Sequence, residues 1–339
     1  MLKKILHISS TSNFGGGPDF IYSICKYSNN KSYYYGPNGS KIKNISQVCK
    51  ILTTNFVYGY NSNLIKKICN YKIDNIHLHG RGALLYNSIN ILVIRFFLKK
   101  KINIIFTTHG VNIKYSFLNY LINIFCWFFV DKITFVSNDE YFTYSKLYNI
   151  KNYFFIIKNG IYINKIKTYH NTSKKKKIIS FSRFDRQKNS IEFCEIASKL
   201  PQFTFDIYGE GTLKQKCIKY CQINHIKNVN FKKFTSNPQK AILTGFCYLS
   251  TSKWEGLPLS VIQAISLGRA ICLTKVPGHI DFFQLKFKNI NSYTPGNINE
   301  AINRILSLYK NFNTKLNLQK FYSIYDINIT VKKYNNLYI

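Results

Sequence analysis

Acidic residues are scarce in this 339-residue chain: 14 Asp and Glu stand against 48 Lys and Arg, a formal charge of +34. Such a balance favours anionic partners, whether nucleic acid, an anionic membrane surface or a phosphate-bearing substrate. Lys, Asn, Ile, Tyr and Phe are abundant together, so an AT-rich coding bias is an equal account of the charge. Paired cysteines are missing as well. The nine Cys are scattered singly, with no CxxC, and several sit inside apolar patterns, as small buried residues of a reduced cytosolic protein do. Cys217 and Cys221 lie one helical turn apart, but no cluster of His or Cys accompanies them, so no metal site is expected there. No apolar run is long enough to span a bilayer: residues 117–130 are interrupted by Asn119 and Asn123 and fall short of the ~20 residues required. The opening Met1-Leu2-Lys3-Lys4 leads into a short apolar run ending at Ser9-Ser10, a first strand rather than a signal peptide. Repeats and low-complexity blocks are absent too. What is present is 46% hydrophobic and 16% aromatic residues, enough for globular cores and too much for disorder. A chain of this length is expected to divide into two domains.

Short β-rich apolar runs alternate with helix-period segments, the pattern of parallel sheets with crossover helices, so the fold class is α/β. The first half predicts strands near 4–8, 75–78, 103–107, 132–136 and 153–157, and helices near 18–27, 61–71, 83–98, 116–129 and 139–147. A polar, lysine-rich break follows. Strands are then predicted near 178–181, 204–208, 229–231, 246–249 and 270–273. The boundaries are accordingly an N-terminal Rossmann-like domain at 1–165, a linker at 166–177 and a second Rossmann-like domain at 178–315. In such sheets ligands bind beyond the carboxyl ends of the strands.

Several motifs fall there. Gly15-Gly16-Gly17 lies between the first strand and helix, where glycines let backbone amides approach an anion, although a plain glycine turn reads the same. His79-Gly80-Arg81-Gly82 and Thr107-Thr108-His109-Gly110 each end a strand. A histidine so placed is either a ligand contact or a satisfied core residue, and Arg81 suits an acceptor phosphate. Ser182-Arg183-Phe184-Asp185-Arg186-Gln187-Lys188-Asn189 follows the first strand of the second half, and Tyr208-Gly209-Glu210-Gly211 closes the next. Asn159-Gly160 reads as a tight turn. The most informative stretch runs from 249 to 268: a buried strand, a polar turn bearing Glu255-Gly256, then a helix whose first turn suits Pro258. The amides at Leu259 and Ser260 open that helix, where the dipole and unpaired N–H groups favour phosphate. Gln263 stands eight residues after Glu255.

This constellation resembles the retaining, nucleotide-sugar-dependent family-4 glycosyltransferases, of the glycosyl transferases group 1 type. Their donor motif is a Glu, seven residues and a second Glu; here the second is Gln263. The resemblance covers both halves and is strongest over 178–281. It implies GT-B architecture, two Rossmann-like domains with parallel sheets facing a central cleft, and a C-terminal helix in 316–339 packing back on the first domain. It implies that Arg183 and Lys188 stabilise the leaving nucleoside diphosphate, that His109 touches the transferred sugar or acceptor, and that Glu255 lies at the donor sugar. Gly16, Gly17, Gly209, Gly211, Gly256, Leu259, Ser260 and Gln263 are then donor contacts. Asp19, where many relatives have Glu, joins His79 and Arg81 on the acceptor side. No cofactor is implied beyond the nucleotide sugar as co-substrate, and no metal, since no Asp-x-Asp is available to hold one. The acceptor would be a glycan or lipid-linked glycan, as in bacterial surface polysaccharide or lipopolysaccharide synthesis.

Two other readings stand beside this one. Gln263 raises a degenerate glycosyltransferase that binds without turnover, and the charge raises a nucleic-acid-binding protein. Against the latter, the lysines are spread along the whole chain and no nucleic-acid-reading module is present, so no nucleic-acid partner is expected. Residues 89–101 read either as a core crossover helix with a charged end or as a basic apolar helix in peripheral contact with an anionic membrane, on the inner face of the plasma membrane.

Overall fold

The computed structural model describes residues 2–98, 101–110, 124, 127–147, 153–163, 175–312 and 318–339. The helix predicted near 116–129 and most of the linker at 166–177 lie outside the described residues. The chain divides into two compact units, Met1–Tyr162 with Tyr325–Ile339, and Ile163–Ile324. The last fifteen residues thus belong with the first unit.

Among the described residues of the first unit, seven strands form one parallel sheet: β1 (Lys4–Ser9), β2 (Lys31–Tyr35), β3 (Lys50–Thr53), β4 (Asn75–His79), β5 (Asn103–Thr107), β6 (Lys132–Phe135) and β7 (Phe154–Ile156), ordered β3-β2-β1-β4-β5-β6-β7. The order reverses between β1 and β4, where His7 pairs in register with His77 and Ser9 with His79. Alternation along a strand puts His77 and His79 on the same face of β4. That face is polar far into the core. Asn75 and Asn103 bond each other at 2.7 Å, and Thr107 Oγ1 meets Thr134 Oγ1 at 2.5 Å. The Ile327–Leu337 helix and the residues after it satisfy this face: Tyr338 Oη bonds His77 Nδ1 at 2.9 Å, Tyr334 Oη reaches Thr107 at 3.1 Å, and Asn75 takes Ile339 through both its backbone N–H and C=O. The apolar core, with Leu6, Leu78, Ile104 and Phe135, closes around these polar contacts.

The second unit carries β8 (Lys177–Phe181), β9 (Thr204–Tyr208), β10 (Val229–Lys232), β11 (Cys247–Ser250), β12 (Ala270–Thr274) and β13 (Ile290–Tyr293) in the order β10-β9-β8-β11-β12-β13, again all parallel. The reversal falls between β8 and β11. Strand burial is near complete in β11 and β12, as expected of strands covered on both faces. Phe193, Phe205, Phe246, Leu249 and Ile305 centre this core.

The helix predicted over 83–98 is two helices, Gly80–Tyr86 and Ser88–Phe97. Asn87 breaks it by bonding back to the Ala83 carbonyl at 2.9 Å and accepting from Asn90, a side-chain alternative to the helical ladder. Asn90, Ile91 and Ile94 are buried, which makes the second of these helices a core crossover element. Its end nonetheless exposes Phe96 and Phe97, at 70% and 79%. Lys99 and Lys100 lie outside the described residues. Among those described, no helix is long and apolar enough to cross a membrane.

Candidate active site

Both loops at the β8/β11 reversal carry the charged residues singled out from sequence. After β8, Arg183 projects outward with its side chain 59% exposed, and Nε donates to Asp185 Oδ2 at 2.7 Å. Its Nη2 donates to Gln187 Oε1 at 3.0 Å. Asp185 also accepts the Lys188 backbone N–H at 3.0 Å, which folds the turn and aims the Lys188 side chain back over the sheet. Asn189 then adopts a left-handed backbone, φ 47°, before the Ser190–Ser198 helix begins. Gly209 shows why the neighbouring turn is glycine: at φ +140°, a Cβ there would run into the Ser182 carbonyl. That contact alone accounts for the residue type. Gly211 is exposed on the same turn.

After β11 the chain runs Thr251–Glu255 into the loop, and Thr251 Oγ1 ties it to the Lys188 and Asn189 carbonyls at 2.9 and 3.1 Å. Glu255 is 6% exposed, and its carboxylate forms an ion pair with the Lys188 ammonium. Ser252 Oγ donates to the same oxygen at 2.7 Å, and Gln187 Nε2 to the other at 3.3 Å. Burial alone would raise the carboxyl's pKa. The Lys188 charge, the neighbouring His279 and the Lys188 and Ser252 hydrogen bonds outweigh it and hold Glu255 below its ordinary value. It is therefore ionised at neutral pH. Two residues expected to act separately, one on phosphate and one on sugar, are each other's partners here.

His279, Ser252 and Gln187 were not foreseen. Ser252 had a signal, a hydroxyl three residues before a carboxylate in a tight turn. His279 had none, because it reaches Glu255 only through tertiary packing after β12. Its Nδ1–H donates to the Thr274 carbonyl at 2.9 Å, and burial drives its pKa down to about 4 against the pull of Glu255. The adjoining Glu255 N–H donates to the Pro277 carbonyl at 3.0 Å, locking the loop to the segment that carries His279.

Beyond Gly256 and Pro258 the Leu259–Ser266 helix starts. Its hydrogen-bond ladder opens with Val261 and Ile262 donating to the Pro258 carbonyl, so the amides of Leu259 and Ser260 precede it. Ser260 Oγ accepts from Tyr248 Oη at 2.8 Å, and Gln263 is half-buried one turn on. A cavity of about 370 Å³ beside this loop is lined by Arg183, Asp185, Arg186, Gln187, Thr212, Leu213 and Trp254.

The remaining expected residues are in the first unit. Gly16 and Gly17 open the Gly16–Tyr27 helix, with nothing within 4 Å of where a Cβ would stand. Asp19, in its first turn, pairs with Lys41 at 2.6 Å. Arg81 lies in the first turn of the Gly80–Tyr86 helix, which His79 caps. His79 is 4% exposed, and both its ring nitrogens are engaged: Nε2 with His7 Nδ1 at 3.0 Å and Nδ1 with His109 Nε2 at 3.2 Å. His109 itself holds φ 58°, an uncommon conformation for a residue with a Cβ. Burial lowers its pKa to about 4. Glu140 fixes the loop, accepting Thr108 Oγ1 at 2.6 Å and the Val136 N–H at 2.9 Å.

Residues 163–321 match the family Glycosyl transferases group 1. The chain is 34% identical over 126 residues to a poly(ribitol-phosphate) alpha-N-acetylglucosaminyltransferase of Staphylococcus aureus; the match takes in 36% of this chain and 25% of that protein. Its fold is similar to that of Anabaena HepE, solved with UDP and glucose, at a TM-score of 0.81 and 17% identity over 98% of each chain. It is also similar to S. aureus TarM, solved with UDP and an acceptor analogue, alpha-GlcNAc-glycerol, at 0.76 and 15% over 99% of each. The fold is GT-B, and the likeness is to GT-B glycosyltransferases. The chain spans about a quarter of the length of the curated relative it matches.

Proposed function

We propose that this protein is a retaining glycosyltransferase that takes a nucleoside-diphosphate sugar in its second unit and transfers the sugar to a glycan or polyol-phosphate polymer. The observation that carries the reading is the Lys188–Glu255 ion pair at the β8/β11 reversal, between exposed Arg183 and the start of the Leu259–Ser266 helix. Breaking a sugar–phosphate bond puts charge on the diphosphate, and fixed cations and amides stabilise it most as it develops. Arg183 offers a planar fork for phosphate oxygens, Lys188 a point charge, and Leu259 and Ser260 backbone donors. Glu255, kept ionised, accepts sugar hydroxyls and favours the cationic transition state.

Those groups are the chain's own, so the reading assigns no metal ion, and turnover should survive EDTA. UDP is the first donor base to test, because the similar folds solved with ligand hold it. Acceptors of the surface-polymer class follow from the polyol-phosphate relative. Exposed Phe96 and Phe97 on a basic chain support peripheral contact with an anionic membrane from the cytoplasmic side.

The test is a panel of nucleotide sugars scored by thermal shift and by release of nucleoside diphosphate, then the anomeric configuration of the product by NMR. Stabilisation and turnover with one donor, and an α-linked product from an α-linked donor, are expected. Binding without turnover would select the degenerate reading, and no stabilisation by any donor would overturn both.

A further inference from the structure

The described histidines of the first unit form a line, not a patch. His7 on β1, His79 at the end of β4 and His109 after β5 are joined nitrogen to nitrogen, at 3.0 and 3.2 Å. The first two are buried, at 0% and 4%, whereas His109 at the far end is only partly buried. Phe20 walls the line, edge-on to His109 at 5.0 Å and to His79 at 6.1 Å. Its inner end is the informative one. His7 Nε2 is buried with no hydrogen-bond partner, and the Cys25 thiol beside the ring is at most a weak donor. An orphaned buried N–H is rarer than an orphaned acceptor, so the proton of neutral His7 belongs on Nδ1 and the lone pair on Nε2.

That assignment propagates. His7 Nδ1–H donates to His79 Nε2, which leaves the His79 proton on Nδ1, and this donates to His109 Nε2. His109 then carries its proton on Nδ1. We infer that His7 and His79 are positioning residues that fix the tautomer of His109, so that it presents an N–H donor, not a lone pair, to the oxygen of a bound sugar or acceptor. The inference rests on the proposed function only in naming that oxygen. The left-handed backbone of His109, held by Glu140 through Thr108, orients the same ring from the other side.

The protein has seven histidines, so selective ¹⁵N-histidine labelling of the full chain gives a spectrum that can be assigned by single substitutions. At pH 7, His7, His79 and His109 should all show the Nδ1–H tautomer. H79N and H79Q separate positioning from packing. The Asn amide overlays Nδ1 and still donates to His109, whereas the Gln amide overlays Nε2 and keeps only the contact with His7. H79N should retain the His109 signature and near wild-type UDP-glucose hydrolysis. H79Q should mix the His109 tautomers and lower kcat about tenfold with KM unchanged, the order lost when the group orienting a functional imidazole is removed. An Nε2–H tautomer at His109 would overturn the inference, as would identical behaviour of the two variants. So would one equivalent of zinc bound through His7, His77 and His79, whose ligand atoms lie within 4.8 Å of one another. A wild type without turnover would refute the functional reading alone, because the tautomer measurement does not depend on it.

Discussion

The two sheets reverse their strand order at equivalent places, β1/β4 in the first unit and β8/β11 in the second, and fill those places with opposite chemistry. The first holds imidazoles that burial keeps neutral: the pKa values of His77 and His79 are pushed well below the ordinary value and that of His109 to about 4. The second holds charges, Lys188 against Glu255 and Arg183 against Asp185. A neutral hydrogen-bonded network can sit deep in a core because nothing has to be desolvated as an ion. A charged one must keep an edge in water or find a partner. Arg183 does the first and Glu255 the second. The difference also separates roles, since developing phosphate charge calls for cations, and a neutral sugar hydroxyl calls for a donor of fixed orientation.

The comparison breaks most visibly at Glu255. Replacing it by Gln leaves the Lys188 ammonium mostly buried without its counter-ion, a loss of about 3–5 kcal/mol for a buried pair. Chemical denaturation should register that fall, and turnover should drop sharply in parallel. Arg183→Ala tests the reverse. With 59% of its side chain exposed, Arg183 contributes little to the fold, so the melting temperature should hold. Turnover should fall by ~3 kcal/mol of barrier, about a hundredfold. Equal losses of stability in the two variants would erase the distinction between a buried pair and an exposed clamp.

Acid probes both regions through histidine. Each of these imidazoles has a folded pKa below its unfolded value of ~6.5, so the unfolded chain binds more protons as the pH falls. Their stabilisation is complete above pH ~6.5 and is lost progressively toward pH 4, the folded value of His109 and His279. Melting curves between pH 7 and 4 should show it, and a flat profile would mean that the rings are hydrated. His279 faces both Glu255 and Lys188, so H279F should remove part of the slope. The smallest effect is expected at Gln263. Gln263→Glu restores a charge-assisted bond to a ribose and should tighten donor binding by ~1–2 kcal/mol, read as a lower KM at nearly constant kcat. An unchanged KM would remove Gln263 from the donor site.

Ten of the thirteen strands could be read from apolar runs, and the three that could not have a common cause. β2 (KSYYY) and β13 (INSY) are built on tyrosines and polar residues, and β3 (KILT) is a short edge. Tyr34 is fully buried only because Ser12 bonds its hydroxyl at 2.8 Å, a partner supplied from another loop. Asn87 shows the same limit in a helix, where periodicity ran unbroken through the residue whose side chain ends the ladder.

By itself, then, the sequence determined the alternation of strands and helices, the two sheets, and which loops carry glycine, arginine, lysine and the Glu255 turn, because local periodicity and strand-end placement depend on neighbours along the chain. Tertiary structure alone decided who pairs with whom. It joined Lys188 to Glu255, set His279 against the same carboxylate, threaded His7, His79 and His109 into one line, and brought the last residues onto the polar face of the first sheet. Each of these unites residues tens to hundreds of positions apart. Their energies come from burial and partner choice, which exist only once the chain has folded.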